Sequence, residues 1–207
     1  QRMDSAVPKQ YLELNSGQTV LGMTMSKLQS LRPERLVVAL HAADTWFDDL
    51  HLSGVDRVVG GENRAASVLS ALTAIDARDD DLILVHDAVR PCVRVADINR
   101  LIDLARDHAE GALLATPVID TLKRVTDQQV TATVDRSQLW QAQTPQIFRF
   151  ELLKRALLAA PAATDEASAV EALGILPRIC RGRADNLKIT TNEDLAMARF
   201  LVSGAPR

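Results

Sequence analysis

Leu82-Ile83-Leu84-Val85-His86-Asp87-Ala88-Val89-Arg90-Pro91 reads as a short apolar strand that runs into polar side chains and stops at a proline. Four aliphatic residues in a row, without polar alternation, fit a strand buried on both faces, the habit of parallel sheets covered by helices. Leu36-Val37-Val38-Ala39-Leu40 has the same character, as do Val55 to Val59 and Ala112 to Val118. Helical spacings lie between these runs. Val68, Leu69, Leu72 and Ile75 share one face of a helix starting near Glu62, and Ile98, Leu101, Ile102 and Ala105 form the apolar stripe of another. Strands and helices alternating over short connections predict a single-domain α/β fold, with a mostly parallel sheet covered on both sides.

The alternation breaks after Pro117. Thr121 to Val125 and Gln129 to Val134 read as two polar strands around a turn at Asp127-Gln128. A polar hairpin adds little to a core, so the insertion of about residues 118–147 is expected to be an arm for dimer contact or for covering a site. Helices are expected again at Phe150–Ala159 and Asp165–Leu173, with Gly174 as a C-cap. Leu176–Cys180 and Leu187–Ile189 read as strands, and Thr191-x-x-Asp194 as the capping box of a last helix. Gln1-Arg2-Met3-Asp4 resembles a loop rather than the opening of such a domain, and an apolar strand is expected to precede it.

Of the 207 residues, 47% are hydrophobic and 25% charged, which excludes disorder by composition. Aromatics are only 3%, so aliphatic residues must fill the core. A net charge of −3 argues against a nucleic-acid partner. No apolar run reaches the ~18 residues of a membrane span. The two cysteines, Cys92 and Cys180, belong to no CxxC pair, and with no signal-peptide layout the expected location is cytoplasmic.

Five stretches could carry chemistry. Pro8-Lys9 places a cation after a rigid turn, with Arg2 upstream; two solvated surface cations are the plainer reading. Gly60-Gly61-Glu62-Asn63-Arg64-Ala65-Ala66-Ser67 leads from a strand into a helix, where a ligand could approach the backbone and a helix N-terminus; a tight turn would look the same. His86-Asp87-Ala88-Val89-Arg90 lies at the C-terminal end of a strand, where open α/β sheets bind ligands. Asp87 there suits a metal or a hydroxyl and Arg90 a phosphate, or the two simply pair with each other. His86 is expected to be structural. The arm offers Thr121, Lys123, Arg136 and Thr144, with Trp140 as a packing anchor; ordinary polar edge strands would offer the same. In Gly182-Arg183-Ala184-Asp185-Asn186-Leu187-Lys188-Ile189-Thr190, the lysine either snorkels outward or faces an anion. There is no HExxH and no P-loop.

The words PKQYL, GGENRAASV, HDAVRP, DTLKR, VDR, TPQIF, TDEAS and GRADNLKIT occur in one order, which resembles the 2-C-methyl-D-erythritol 4-phosphate cytidylyltransferase family over nearly the whole chain. The resemblance implies one Rossmann-like nucleotidyltransferase domain over residues 1–207, an arm exchanged in a homodimer, and Mg²⁺ bound mainly through the CTP phosphates. It implies transfer of CMP from CTP to a sugar-alcohol phosphate with release of pyrophosphate. Arg2, Lys9 and Lys188 match catalytic cations, and Gly61, Glu62, Ser67 and Asp87 match CTP-binding positions. Asp87, Arg90, Thr121, Arg136, Thr144 and Lys188 match positions that hold the acceptor. No metal ligand is implied among the side chains. The Ala-Ala-Gly-x-Gly loop of the family is not present ahead of Arg2, and Glu62 stands where many relatives have Asp. The alternatives are a ribitol-5-phosphate cytidylyltransferase and a non-catalytic dimeric module.

Overall fold

The computed structural model describes residues 7–15 and 17–204. A single turn of 3-10 helix, Lys9–Tyr11, precedes two short strands, β1 (Glu13–Asn15) and β2 (Gln18–Thr19), and helix α1 (Val20–Ser30). Then follow β3 (Val37–Leu40), β4 (Asp56–Val59), α2 (Arg64–Thr73), β5 (Leu82–Val85), α3 (Val95–Asp107) and β6 (Ala112–Pro117). The arm is β7 (Leu122–Thr126) and β8 (Gln129–Val134). The chain closes with β9 (Trp140–Arg149), α4 (Phe150–Ala159), α5 (Glu166–Glu171), β10 (Arg178–Arg181) and α6 (Asn192–Val202).

The main sheet has the order β10-β6-β9-β5. Strand β10 runs parallel to β6, whereas β9 is antiparallel to both β6 and β5. The sheet is therefore mixed, and the expectation of a mostly parallel sheet is corrected. After β6 the chain makes the arm rather than a crossover helix, and a strand that returns without a crossover pairs antiparallel. The remaining parallel pair, β3–β4, forms a separate two-stranded sheet.

Period-two alternation divides the core into two layers. Leu82, Leu84, Ala112, Leu114 and Ile147 pack toward α3. Ile83, Val85, Leu113 and Phe148 pack toward α2, α4 and α5. Among the described residues β3 and β5 are mostly half-buried. Each leaves one edge unpaired among the described residues, and a cleft of about 390 Å³ separates them, with Met25 and Leu28 on one side and Val68 and Leu72 on the other. The strand expected ahead of Gln1 and Arg2, expected as a catalytic cation, both lie outside the described residues.

The hairpin forms as expected. Asp127 and Gln128 take the left-handed conformation that a two-residue hairpin turn requires. It is shorter than the insertion drawn from sequence, because the stretch from Trp140 onward belongs to the main sheet. The Leu187–Ile189 strand is absent and that stretch is extended loop. Trp140 is 40% exposed and anchors no core.

Candidate functional site

At the C-terminal end of β5 the loop His86–Arg90 meets β9 and the loop 182–190. The backbone N–H of Asp87 donates to Thr144 Oγ1 at 2.9 Å. Thr144 Oγ1 lies 3.0 Å from His86 Nδ1, and His86 Nε2 lies 3.2 Å from the Arg90 carbonyl oxygen. A carbonyl only accepts, so Nε2 carries the proton, Nδ1 accepts, and the Thr144 hydroxyl donates to it. One neutral tautomer thus satisfies the whole chain of hydrogen bonds.

That wiring needs an uncharged ring, and burial pushes the His86 pKa down from 6.5 to about 4. The folded value lies below the unfolded one. The stabilisation is therefore complete above about pH 6.5 and is lost progressively as pH falls from there to about 4, the unfolded state alone binding the proton in that window. The full loss is about 3 kcal/mol. Denaturant unfolding at pH 7 and pH 4.5 should show most of this drop, and His86→Gln should remove the histidine's share of it. An unchanged pH dependence in that variant would refute the assignment.

The carboxylate of Asp87 is ringed by cations. Its Oδ2 lies 3.1 Å from Lys188 Nζ and 3.3 Å from Arg90 Nε, and its Oδ1 lies 3.4 Å from Arg64 Nε. Burial pushes this carboxyl up, but the charges of Lys188 and Arg64 outweigh it and hold the group below the ordinary range. Arg90 also donates to the Asn186 carbonyl at 2.7 Å, and Ile189 N–H donates to the Val89 carbonyl at 2.9 Å. Asn186, buried, donates to the Thr144 carbonyl at 2.9 Å. These bonds dock the loop 182–190 onto the strand end and aim Lys188 at Asp87. The lysine faces an anion, as one of its two sequence readings held, but from a loop rather than a strand.

The entry to α2 is built by close approach. A Cβ on Gly61 would sit 3.0 Å from the Ala66 carbonyl carbon, so a side chain there collides with the first helical turn. The Ser67 hydroxyl accepts from Gly61 N–H at 3.1 Å and donates to the Asn63 carbonyl at 2.9 Å. Asn63 caps the helix by accepting from Ala66 N–H at 2.8 Å. The tight-turn reading of this segment therefore holds whatever it binds.

Asp87, Arg90, Thr144 and Lys188 are thus brought together in one chain. Thr144 lies in the central strand β9, so its placement on the arm is corrected. Glu62 is exposed at the α2 entry. Lys9 is held on the turn between Pro8 and Tyr11, and Tyr11 and Ala88 belong to one apolar cluster. Thr121 and Arg136 lie exposed on the arm and make no side-chain hydrogen bond to the Asp87 group among the described residues. The sequence reading missed Arg64 and Glu166, although both lie in quoted words. For Arg64 the signal was the one charged residue of α2, placed in its first turn; α5, with a glutamate at each end, offers no such signal for Glu166.

A family model described as 2-C-methyl-D-erythritol 4-phosphate cytidylyltransferase matches residues 1–204. The protein of that description from Vibrio atlanticus (strain LGP32) is 47% identical over 212 residues, covering 98% of this chain and 90% of its own length. The one from Chromobacterium violaceum is 48% identical over 210 residues, with 98% and 92% covered. Among solved structures, one titled 4-diphosphocytidyl-2C-methyl-D-erythritol synthase superposes with a TM-score of 0.88 at 43% identity, covering 94% of each chain. The 2-C-methyl-D-erythritol 4-phosphate cytidylyltransferase from Thermus thermophilus gives 0.85 at 32% identity, with 96% of each chain covered.

Proposed function

Because this chain belongs to the 2-C-methyl-D-erythritol 4-phosphate cytidylyltransferase family, we propose that the cationic group around Asp87 is the centre of that family's reaction. The enzyme is a nucleotidyltransferase. It transfers CMP from CTP to 2-C-methyl-D-erythritol 4-phosphate in isoprenoid biosynthesis, giving 4-diphosphocytidyl-2-C-methyl-D-erythritol and pyrophosphate.

In the proposed mechanism the acceptor phosphate is already anionic near neutral pH and needs no strong base. Its oxygen attacks the α-phosphorus of CTP in line, and pyrophosphate leaves. Two anions must approach while further charge develops, so the chain's task is preorganised positive charge. Lys188, Lys9 and Arg2 supply it, Asp87 and Arg90 hold the acceptor side, and Gly61, Glu62 and Ser67 receive the cytidine. Thr144 keeps the Asp87 backbone in place. Thr121 and Arg136, on the arm, reach the acceptor in a partner's site, which makes the active form a homodimer. Residues 1–207 act as one domain, and we place the enzyme in the cytoplasm. No helix of the described residues is long and apolar enough to cross a membrane.

Mg²⁺ fits this site as part of the substrate. Among the described residues no three His, Cys, Asp or Glu side chains gather as a ligand group, and both oxygens of Asp87 already face cations. The ion would travel with the CTP phosphates and neutralise part of their charge.

The observation that carries this reading is Lys188 held 3.1 Å from Asp87 at the strand end. The test is pyrophosphate release with CTP and Mg²⁺, comparing methylerythritol phosphate, ribitol 5-phosphate and no acceptor. Release that depends on methylerythritol phosphate is expected. Release only with ribitol 5-phosphate, or with neither, would overturn it.

A further inference from the structure

Glu166 is the most hidden charged group described, with a side chain 0% exposed. Arg64 grips it with both ends of the guanidinium fork, Nη2 lying 2.8 Å from Oε2 and Nη1 bonding Oε1. Burial pushes the Glu166 carboxyl up against the pull of Arg64. A two-point grip fixes the plane of a guanidinium as a single ammonium contact cannot. With that plane fixed, the third nitrogen, Nε, points away from Glu166 and meets Asp87 Oδ1 at 3.4 Å.

The anchoring runs deeper on both sides. Asp165 and Ala167, the neighbours of Glu166, are tied to β9. Gln146 Nε2 donates to Asp165 Oδ2 at 2.8 Å, and Ala167 N–H donates to Gln146 Oε1 at 2.8 Å. Gln146 is 1% exposed. The same strand fixes the Asp87 backbone through Thr144. Asp87 is therefore held by its backbone from β9 and by its carboxylate from the Glu166–Arg64 pair, which β9 also seats. With Oδ1 committed to Arg64, Oδ2 is left to Lys188 and Arg90, the two cations on the substrate side.

We propose that Glu166 and Arg64 are positioning residues that set the Asp87 carboxylate, and through it Lys188, for the transfer step. The proposal rests on the assignment of Asp87 and Lys188 to the reacting site. It differs from a simple clamp between α2 and α5 in what it requires of Arg64. A clamp needs any stable pair across the contact, whereas positioning needs the second edge of the guanidinium.

Two variants separate these roles. Arg64→Lys keeps a cation beside Glu166 but cannot serve both carboxylates. The double variant Arg64→Met/Glu166→Met removes both charges, a replacement of a buried ion pair that often leaves stability unchanged or raised. Both should unfold near the wild-type midpoint. Both should lose kcat by on the order of 10–10²-fold at saturating CTP and acceptor, the size of loss that a misplacement of about 1 Å produces. The KM values should change little. A folded Arg64→Lys enzyme with wild-type kcat would overturn the proposal, as would a raised KM at unchanged kcat. Loss of folding in both variants would assign the pair to stability alone and equally overturn it. Asp87→Asn in the same assay keeps the two readings distinct. If it retains full kcat, the site assignment fails. If it is inactive while the pair variants are not, only the positioning role fails.

Discussion

Lys188→Ala lowers kcat by roughly 10²–10³-fold, the usual effect of removing one preorganised donor from a developing charge. The structure separates this loss from any loss of folding. The lysine side chain is 43% exposed, so its removal opens no cavity. Asp87 keeps Arg64 and Arg90, so no buried carboxylate is left unpaired. A half-exposed ion pair contributes about 0–1 kcal/mol, and the unfolding midpoint should move accordingly little. Lys9→Ala should lose kcat by a similar factor, since its cation comes from a separate turn of the chain. Steady-state kinetics with both substrates saturating, paired with thermal unfolding, decides the matter. A Lys188→Ala enzyme within a few-fold of wild type would remove this lysine from the reacting phosphates.

What the sequence made legible was local. Phe150–Ala159 forms as drawn, and the Thr191–Asp194 capping box closes as its spacing demands. The hairpin turns where Asp127-Gln128 places it. What stayed hidden was the strand in the middle of the sheet. Strand β9 buries Gln143, Thr144 and Gln146, and polar residues give no apolar period to read. They are buried because each finds a partner far away in sequence: Gln143 at the Arg183 carbonyl, Thr144 at Asp87, Gln146 at Asp165. Such pairing is a property of the fold, not of the local stretch. Helix α1 was missed for a different reason. Its face of Leu21, Thr24, Met25 and Leu28 has helical spacing, but the threonine hides the stripe by bonding the Val20 and Ala88 carbonyls. The site follows the same division. Asp87, Arg90 and Lys188 were marked by their place at strand ends and in an apolar stretch, whereas Glu166 and Arg64 meet only because α2 and α5 both pack on α4.

Among the described glycines, Gly111→Ala should be the most damaging replacement by alanine, at about 4 kcal/mol of unfolding free energy. Gly111 has φ +77°, and Gly174 has φ +76°. The two share the left-handed backbone cost of about 1–2 kcal/mol for an L side chain. They differ in space. A Cβ on Gly174 meets nothing within 4 Å, whereas one on Gly111 would lie 2.7 Å from the Ile147 carbonyl oxygen and 2.8 Å from Phe148 Cε1. Phe148 is 0% exposed and packed among Leu113, Leu153 and Val170, so it has nowhere to go. Forcing β9 aside adds about 1–3 kcal/mol of overpacking to the backbone cost. Gly174→Ala, carrying the backbone cost alone, is the control. Equal shifts in the urea midpoints of the two variants would mean that the sheet yields at β9. The expected inequality means that the strand holding Thr144 against Asp87 is rigid where the site needs it to be.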